Sequence, residues 1–336
     1  MKDSDVLAFE RIRRVFRNNF RQTQLYALYL ERFPEAITAD MIDLLCDGAD
    51  IDKRYAIAGI LCELFGLMTD TDGEDRAFYR NYLLPSIRIL DAKKYTENPY
   101  YKKVRFPDVK LGNWELKHES YAPYRAVICD DIEMREDFTE IAPLGFFEEE
   151  FRFPAVLEDG NEWMTLTPVD LDTCEGAIEA ARGKVVTFGL GLGYFAFMAA
   201  RKPDVSSVTV IEKSEKVIEL FERYVFPYFE NREKIRIINK DAFEYAEHDM
   251  PAERYDYAFV DTWRDASDGA PMYERMKPLE KLNPETKFDY WIENFLVSRL
   301  RALKFEQMSR KFDIGELDMT KEEIVSTLKD TITSES

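Results

Sequence analysis

Residues 184–193 read KVVTFGLGLG, a short apolar run that passes into three glycines, Gly189, Gly191 and Gly193, spaced two residues apart. The apolar run predicts a buried strand. Glycine lacks a Cβ atom, so the chain can turn tightly and bring its backbone against a ligand. The following residues predict a helix whose positive N-terminal end faces the same ligand. This order of strand, glycine turn and helix predicts a ligand-binding site at the end of the strand.

Three further apolar runs follow this turn. Residues 208–211 end at Glu212, residues 235–238 end near Asp241, and residues 257–260 end at Asp261. Helical segments lie between them. Strands alternating with helices, each strand ending in a glycine turn or an acid, predict a Rossmann-like open α/β sheet with a site at its carboxyl edge.

Between about residues 180 and 265 this succession resembles the class I S-adenosylmethionine-dependent methyltransferases. The resemblance implies S-adenosylmethionine as the cofactor, with its methionine and ribose parts cradled by the glycine turn. The implied cofactor contacts are Gly189, Leu190, Gly191, Gly193, Glu212, Lys213, Asp241, Ala242 and Asp261.

The resemblance also implies a role for each strand-end acid. Glu212 binds the ribose hydroxyls, Asp241 and Ala242 lie beside the adenine, and Asp261 faces the reacting centre. Thr187 stands where the family commonly has an acid. Because the sulfonium carbon is already electrophilic, catalysis requires alignment and a base, and Asp261 is the predicted catalytic residue.

One of two aromatic residues, Tyr194 or Trp263, is expected to shape the pocket beside the sulfonium through cation–π attraction. The segment GLGLGYF, followed by DTW after the fourth strand, also resembles the spermidine synthase-like aminopropyltransferases of the same fold. In that branch a β-strand unit precedes the core, as it does in this chain. Aminopropyl transfer is therefore the first alternative to methyl transfer.

A dinucleotide-binding fingerprint, GxGxxG followed by an acid, is a competing interpretation. Its third glycine position falls on Tyr194 or on Ala196, depending on the register. Glu212 suits both interpretations, because either ligand offers a ribose diol. The Asp241–Ala242 pair favours the methyltransferase interpretation, since the dinucleotide fingerprint does not specify residues at those two positions.

Composition limits the classes of partner. The formal net charge of −19 argues against nucleic acid and against anionic membrane, and favours a cationic or neutral small-molecule substrate. The cysteines lack CxxC spacing and the two histidines have no metal-binding motif, so no metal is predicted and a reduced, cytoplasmic protein is expected. The oligomeric state is left open, a homo-oligomer included.

The chain is predicted to contain a helical N-terminal domain (1–92), a β-rich lead-in (93–170), and a core with a helical tail (171–336). Strands are expected at 124–128, 151–156 and 163–166, and helices at 172–181 and 289–307. Leu303 is expected on the buried face of the last of these helices, and two segments, residues 118–131 and 165–173, are pocket candidates.

The helical ends of the chain leave a function of another class open, namely a scaffold that binds the cofactor without catalysis. The pocket separates the two hypotheses. A catalyst needs an open, polar-lined cavity beside Gly191 and Asp261, whereas a degenerate module can fill that space with side chains.

Overall fold

The computed structural model describes residues 1–46 and 51–331. Its α-helices are α1 (Asp3–Arg32), α2 (Ala39–Cys46), α3 (Lys53–Leu64), α4 (Gly73–Phe78), α5 (Leu84–Ser86), α6 (Ala92–Thr96), α7 (Pro99–Lys103), α8 (Pro168–Ala180), α9 (Tyr194–Ala200), α10 (Glu215–Tyr224), α11 (Ala242–His248), α12 (Met250–Glu253), α13 (Ala266–Met276), α14 (Glu293–Asp313) and α15 (Lys321–Lys329). A π-helical turn, Tyr79–Leu83, joins α4 to α5, and short 3-10 turns occupy Phe226–Tyr228, Arg232–Lys234 and Lys277–Leu282.

The strands of the same part of the chain are β1 (Ile87–Leu90), β2 (Val109–Leu111), β3 (Trp114–Tyr121), β4 (Ala126–Ile128), β5 (Glu133–Met134), β6 (Glu140–Ile141), β7 (Leu144–Phe147), β8 (Phe151–Glu158), β9 (Asn161–Thr165), β10 (Gly183–Phe188), β11 (Val205–Glu212), β12 (Ile235–Asn239), β13 (Tyr257–Val260) and β14 (Lys287–Tyr290). No helix among the described residues is both long and apolar enough to cross a membrane.

The chain forms two compact units, each discontinuous in sequence. Unit 1 comprises Met1–Leu90, Pro123–Glu148 and Asn294–Ser336, and unit 2 comprises Asp91–Ala122 and Glu149–Glu293. The first helices thus share a unit with the last ones, and part of the β-rich lead-in belongs to that unit too. The division into 1–92, 93–170 and 171–336 stays a prediction.

Unit 1 is mainly helical and is held together by aromatic packing. Phe9 and Phe16 lie on the buried face of α1, and both rings stack on Phe305 of α14, with centroids 5.4 and 4.1 Å away. A second core gathers α3 and the three-stranded sheet β1-β7-β4. Side-chain oxygens of Asn19 and Gln22 on α1 accept backbone N–H groups of Glu140 and Ala142, which satisfies donors buried beside the helix.

We expect Phe305→Ala to lower the free energy of unfolding by about 3–5 kcal/mol, because it removes a buried ring that stacks on two others. Leu303→Ala on the same helix is the control. Leu303 is 45% exposed, so its truncation should change stability by less than about 0.5 kcal/mol. Urea unfolding of both variants measures the difference, and similar losses would contradict this packing.

Unit 2 contains an antiparallel and a parallel sheet. The antiparallel sheet has the order β2-β3-β8-β9, which leaves β9 at an edge. The parallel sheet has the order β12-β11-β10-β13-β14, and all its pairs are parallel. The central strands are apolar on both faces, as strands covered by helices require; Val185, Val186 and Phe188 of β10 are all fully buried.

This architecture confirms the predicted Rossmann-like α/β fold with a helical N-terminal region and C-terminal helices. Chain order runs outward from β10 through β11 to β12 on one side, and through β13 to β14 on the other. The connection after β10 and the connection after β13 therefore run in opposite directions along the sheet. Open α/β sheets bind ligands in the crevice at the carboxyl ends of the two strands where the direction changes, here β10 and β13.

The prediction of a helix over 289–307 is wrong at its start. Residues Lys287–Tyr290 form β14, which pairs with β13, and the helix begins at Glu293. Leu303 is also exposed rather than buried. The strand is short and lies next to a long helical pattern, so only its pairing with β13 distinguishes it from the helix.

Candidate functional site

A cavity of about 570 Å³ lies at the carboxyl edge of the parallel sheet in unit 2. Its wall is built from the segments that follow β10, β11, β12, β13 and β14. The remaining wall comes from β9, α8 and the residues around them, namely Glu162, Trp163, Met164, Thr165, Leu166, Asp170 and Cys174. The cavity occupies the crevice that the strand order predicts.

The three glycines of the turn have different roles. A Cβ atom on Gly189 would lie 1.8 Å from the carbonyl oxygen of Asp261, and one on Gly193 would lie 2.4 Å from the Phe221 ring. A Cβ on Gly191 would meet nothing within 4 Å. Gly189 and Gly191 line the cavity, whereas Gly193 is not among its lining residues. Gly191 is therefore the position where the backbone leaves room for a ligand.

Glu212 is fixed against the glycine turn. Its Oε2 accepts the backbone N–H of Leu190 at 3.2 Å, and its Oε1 accepts that of Ser214 at 2.7 Å. The amide of Asn239 donates to the carbonyls of Glu212 and Lys213, which holds the end of β11 in place. A carboxylate has about four lone-pair sites, so Glu212 keeps acceptor capacity for a diol in the cavity.

Asp241 and Ala242 line the cavity after β12. The Asp241 carboxylate accepts the N–H groups of Phe243 and Glu244, so it caps helix α11. The Phe243 ring also lines the cavity and has the Arg275 guanidinium 3.9 Å from its centroid. Sequence reasoning did not name Phe243, although it directly follows the Asp241–Ala242 pair.

Asp261 follows β13, and its N–H donates to the carbonyl of Phe188 at 2.8 Å. In the described part of the chain no hydrogen bond or ion pair reaches its carboxylate. Burial, together with the negative charges of Asp170 and Glu212, raises the pKa of Asp261 to about 8. A carboxyl group that titrates near neutral pH can accept a proton from a bound substrate.

Asp170 is a second carboxyl group in the cavity wall, and sequence reasoning placed it in a pocket segment without naming it. Its Oδ2 accepts the N–H and the O–H of Thr167 at 2.7 and 2.8 Å, at the start of α8. Burial raises the pKa of Asp170 to about 6. Asp170 and Asp261 both line the cavity, and the negative charge of Asp170 contributes to the raised pKa of Asp261.

The loop after Asp261 supplies Thr262 and Trp263, which both line the cavity. The Trp263 ring stacks on Tyr290 with centroids 6.4 Å apart and an interplanar angle of 11°. Thr262 Oγ1 and Trp263 Nε1 are buried and have no hydrogen-bond partner among the residues described. The carboxylate of Asp268 accepts the N–H groups of Arg264 and Asp265 and so fixes the far end of the loop.

Aromatic side chains form much of the remaining wall. Tyr194 and Trp263, which the sequence had singled out, line the cavity together with Trp163 and Trp291. Sequence reasoning missed the last two because β9 and the end of β14 are distant in sequence from the glycine turn. Aromatic faces beside carboxylates favour a cationic ligand.

The charged residues of the cavity wall also favour a cationic ligand. Its acids are Glu162, Asp170, Glu212, Asp241, Asp261 and Asp268, and its bases are Lys213 and Arg264. The side chain of Arg264 is 69% exposed and lies beside Asp268. No group of three or more metal-ligating side chains occurs among residues 1–46 and 51–331.

Comparison with known proteins gives structural matches only. No protein-family model and no curated protein matches the chain. The spermidine synthase from Thermotoga maritima aligns with 46% of this chain and 60% of its own, at 13% identity and a TM-score of 0.31. A spermidine synthase in complex with the transition state analogue AdoDATO aligns with 46% and 59%, at 14% identity and a TM-score of 0.30. The chain thus spans about three fifths of the length of these proteins.

Proposed function

We propose that the cavity binds a sulfonium nucleoside, S-adenosylmethionine or its decarboxylated form, and transfers a group from it to a small-molecule amine. The observation that carries the proposal is the fixed Glu212 carboxylate beside the open space at Gly191. A ribose diol at Glu212 directs the adenine toward Ala242 and the sulfonium toward Asp261. These placements follow the order of the strand ends along the sheet.

The reacting end of the cavity supports an amine acceptor. The amine nitrogen attacks the carbon bound to sulfur, the C–S bond breaks with its electron pair going to sulfur, and a neutral thioether leaves. Asp261 takes the proton that the nitrogen loses, as a pKa of about 8 allows near neutral pH. Asp170 adds a second negative charge that attracts a protonated amine into the site.

Aminopropyl transfer is the second candidate, and the charge around the reacting end favours it. The α-carboxylate of S-adenosylmethionine would lie toward Asp170, whose pKa of about 6 leaves it mainly ionised at neutral pH, so that it repels the carboxylate. The decarboxylated cofactor carries only an ammonium group there. Lys213 lies at the ribose end, and Arg264 is mostly exposed. Methyl transfer requires another partner for that carboxylate.

The size of the cavity supports a binding function over a degenerate module. A filled pocket was the feature expected of a scaffold, and about 570 Å³ of open, polar-lined space beside Gly191 and Asp261 is the feature expected of a catalyst. If no nucleoside binds, the scaffold hypothesis would be favoured over the catalytic one.

Calorimetry tests the cofactor directly with S-adenosylmethionine, S-adenosylhomocysteine, decarboxylated S-adenosylmethionine and NAD. We expect Glu212→Gln to weaken nucleoside binding about 10- to 100-fold, because hydrogen bonds to a charged group contribute about 1.5–3 kcal/mol. Gly191→Arg should abolish binding by filling the open space. Glu215→Gln, an exposed acid on α10, is the matched control.

The ranking of the four ligands separates the candidates. Preference for the decarboxylated compound supports aminopropyl transfer, and preference for S-adenosylmethionine supports methyl transfer. Preference for NAD, or equal binding to wild type and Glu212→Gln, would refute the proposed cofactor site.

A further inference from the structure

Strand β9 brings a free sheet edge to the cavity. It is the last strand in the order β2-β3-β8-β9, so β8 pairs with one of its edges and no described strand pairs with the other. Such an edge carries unpaired N–H and C=O groups and is a template for a further strand. Residues 162–165 of β9 all line the cavity, which therefore touches the strand over four consecutive residues.

The cavity meets β9 at this edge rather than at one face of the sheet. Met164 pairs with Val156 and Thr165 pairs with Ala155, so the side chains of Met164 and Thr165 point to opposite faces. Both residues nevertheless line the same cavity. A cavity in contact with residues of both faces lies alongside the strand, on the side that β8 leaves free.

The main chain of Thr165 points toward this free side. The next residue, Leu166, donates its N–H to the Pro154 carbonyl of β8 at 3.1 Å. In an antiparallel pair, residues whose main chain bonds to the partner strand alternate with residues whose main chain points away from it. The N–H and C=O of Thr165 therefore point away from β8, and no hydrogen bond outside the sheet ladders reaches them in the described part of the chain. Thr165 thus offers one donor and one acceptor, the pair that a residue of an added strand requires.

The free edge leads from solvent to the reacting end of the cavity. Asn161, at the start of β9, is exposed. Thr167 lies two residues beyond Thr165, and its N–H and O–H donate to the Asp170 carboxylate. Two residues span about 7 Å at most, so the main chain of Thr165 lies within about 10 Å of that carboxylate. About three residues of an extended peptide cover this distance.

We propose that the acceptor substrate is a short peptide with a free N-terminal amine, which lies antiparallel to β9 as an added strand. Its main chain pairs with the N–H and C=O of Thr165, and its amine reaches Asp170 and Asp261. Charge sets the direction, because Asp170 attracts the N-terminal ammonium and repels a C-terminal carboxylate, which then lies toward the exposed start of β9. The inference rests on the proposed function, because it names the amine that the transfer step uses.

Calorimetry with the full chain, with and without S-adenosylhomocysteine, tests the pairing from the side of the peptide. The probe is trialanine amide, compared with two analogues in which an ester replaces one peptide bond. An ester removes a donor without adding bulk, so at least one analogue should bind about three- to tenfold more weakly, the value of one neutral hydrogen bond. The N-acetylated peptide loses its charge and should bind about 10- to 100-fold more weakly, the value of a hydrogen bond to a charged group.

Two variants test the pairing from the side of Thr165. Thr165→Pro removes the N–H that points away from β8 and no bond of the ladder, and an edge strand tolerates proline at such a position. Thr165→Val is the matched control, because it keeps the N–H and loses only the hydroxyl. Trialanine amide should bind Thr165→Pro about three- to tenfold more weakly than Thr165→Val. The two variants should bind S-adenosylhomocysteine equally.

Three outcomes would overturn the inference: equal binding of the peptide and both esters, equal binding of the peptide by the two Thr165 variants, or no binding of the peptide. If S-adenosylhomocysteine binds in these cases, the proposed transferase function stands and only its peptide acceptor is wrong. If the peptide preference appears while no nucleoside binds, the transferase function fails and the peptide site stands. The ester analogues decide the question even if Thr165→Pro does not fold, because they are measured on the wild-type chain.

Discussion

Replacing Gly189 with alanine is expected to destabilise the protein by about 3–5 kcal/mol and to abolish nucleoside binding. Gly189 has a φ of +96°, and a Cβ would lie 1.8 Å from the Asp261 carbonyl oxygen. The contact is with backbone, which no rotamer change relieves. The ends of β10 and β13 would have to separate, and the cavity is built on those ends.

Gly191→Ala is the matched control for Gly189→Ala. It also places a side chain at positive φ, +53°, but in open space. Its cost should be only the conformational strain, about 1–2 kcal/mol. Urea unfolding of the two variants, with calorimetry of S-adenosylhomocysteine, measures both effects. If both variants are destabilised equally, the close approach of β13 to the glycine turn is not the reason that position 189 requires glycine.

Replacing Asp261 with asparagine is expected to stabilise the ligand-free protein at pH 8 by at least about 1 kcal/mol and to abolish most of its turnover. The pKa of Asp261 is raised to about 8 by burial and by the charges of Asp170 and Glu212, against about 3.9 in an unfolded chain. The folded state therefore binds more protons between these values, and its stability falls as pH rises from about 4 to about 8.

Asparagine does not titrate, so the stability difference should disappear below about pH 4. Urea unfolding between pH 3 and pH 9 measures it. Asp170→Asn removes one of the charges near Asp261, so it should lower the pKa of Asp261 and reduce the same pH dependence. A wild-type protein whose stability is unchanged over this range would contradict the raised pKa.

For turnover, Asp261→Asn should reduce kcat about 100- to 10,000-fold, the usual contribution of a general base. The wild-type kcat/KM should rise with pH up to about 8 and then level, because the deprotonated carboxylate is the active form. The variant should lose this rising limb while S-adenosylhomocysteine binding persists. Full turnover in the variant, with the acceptor that calorimetry identifies, would exclude Asp261 as the base.

Local sequence patterns were sufficient to predict four of the five strands of the parallel sheet and one end of the site. Apolar runs that end in Glu212, Asp241 and Asp261 predict parallel strands, and parallel strands carry their ends to one edge. The structure brings these three acids to one cavity for that reason. Their roles in binding and catalysis remain predictions, as does the role of Lys213.

Other features depend on contacts between distant segments, which a local pattern does not encode. Strand β14 is defined by its pairing with β13, and Trp163 reaches the cavity through an antiparallel sheet that begins well before the glycine turn. Gly193 looks identical to Gly191 in sequence, yet it packs against Phe221, whereas Gly191 faces open space.

The sequence by itself determined the order of strands, turns and acids, because a strand and its end are set by residues next to one another. Only the tertiary structure decided which side chains share the cavity. Asp170 on α8 and Trp263 after β13 are far apart in sequence, and packing alone makes both of them part of one wall. The raised pKa of Asp261 is likewise a tertiary property, because it arises from burial and from charges on other elements.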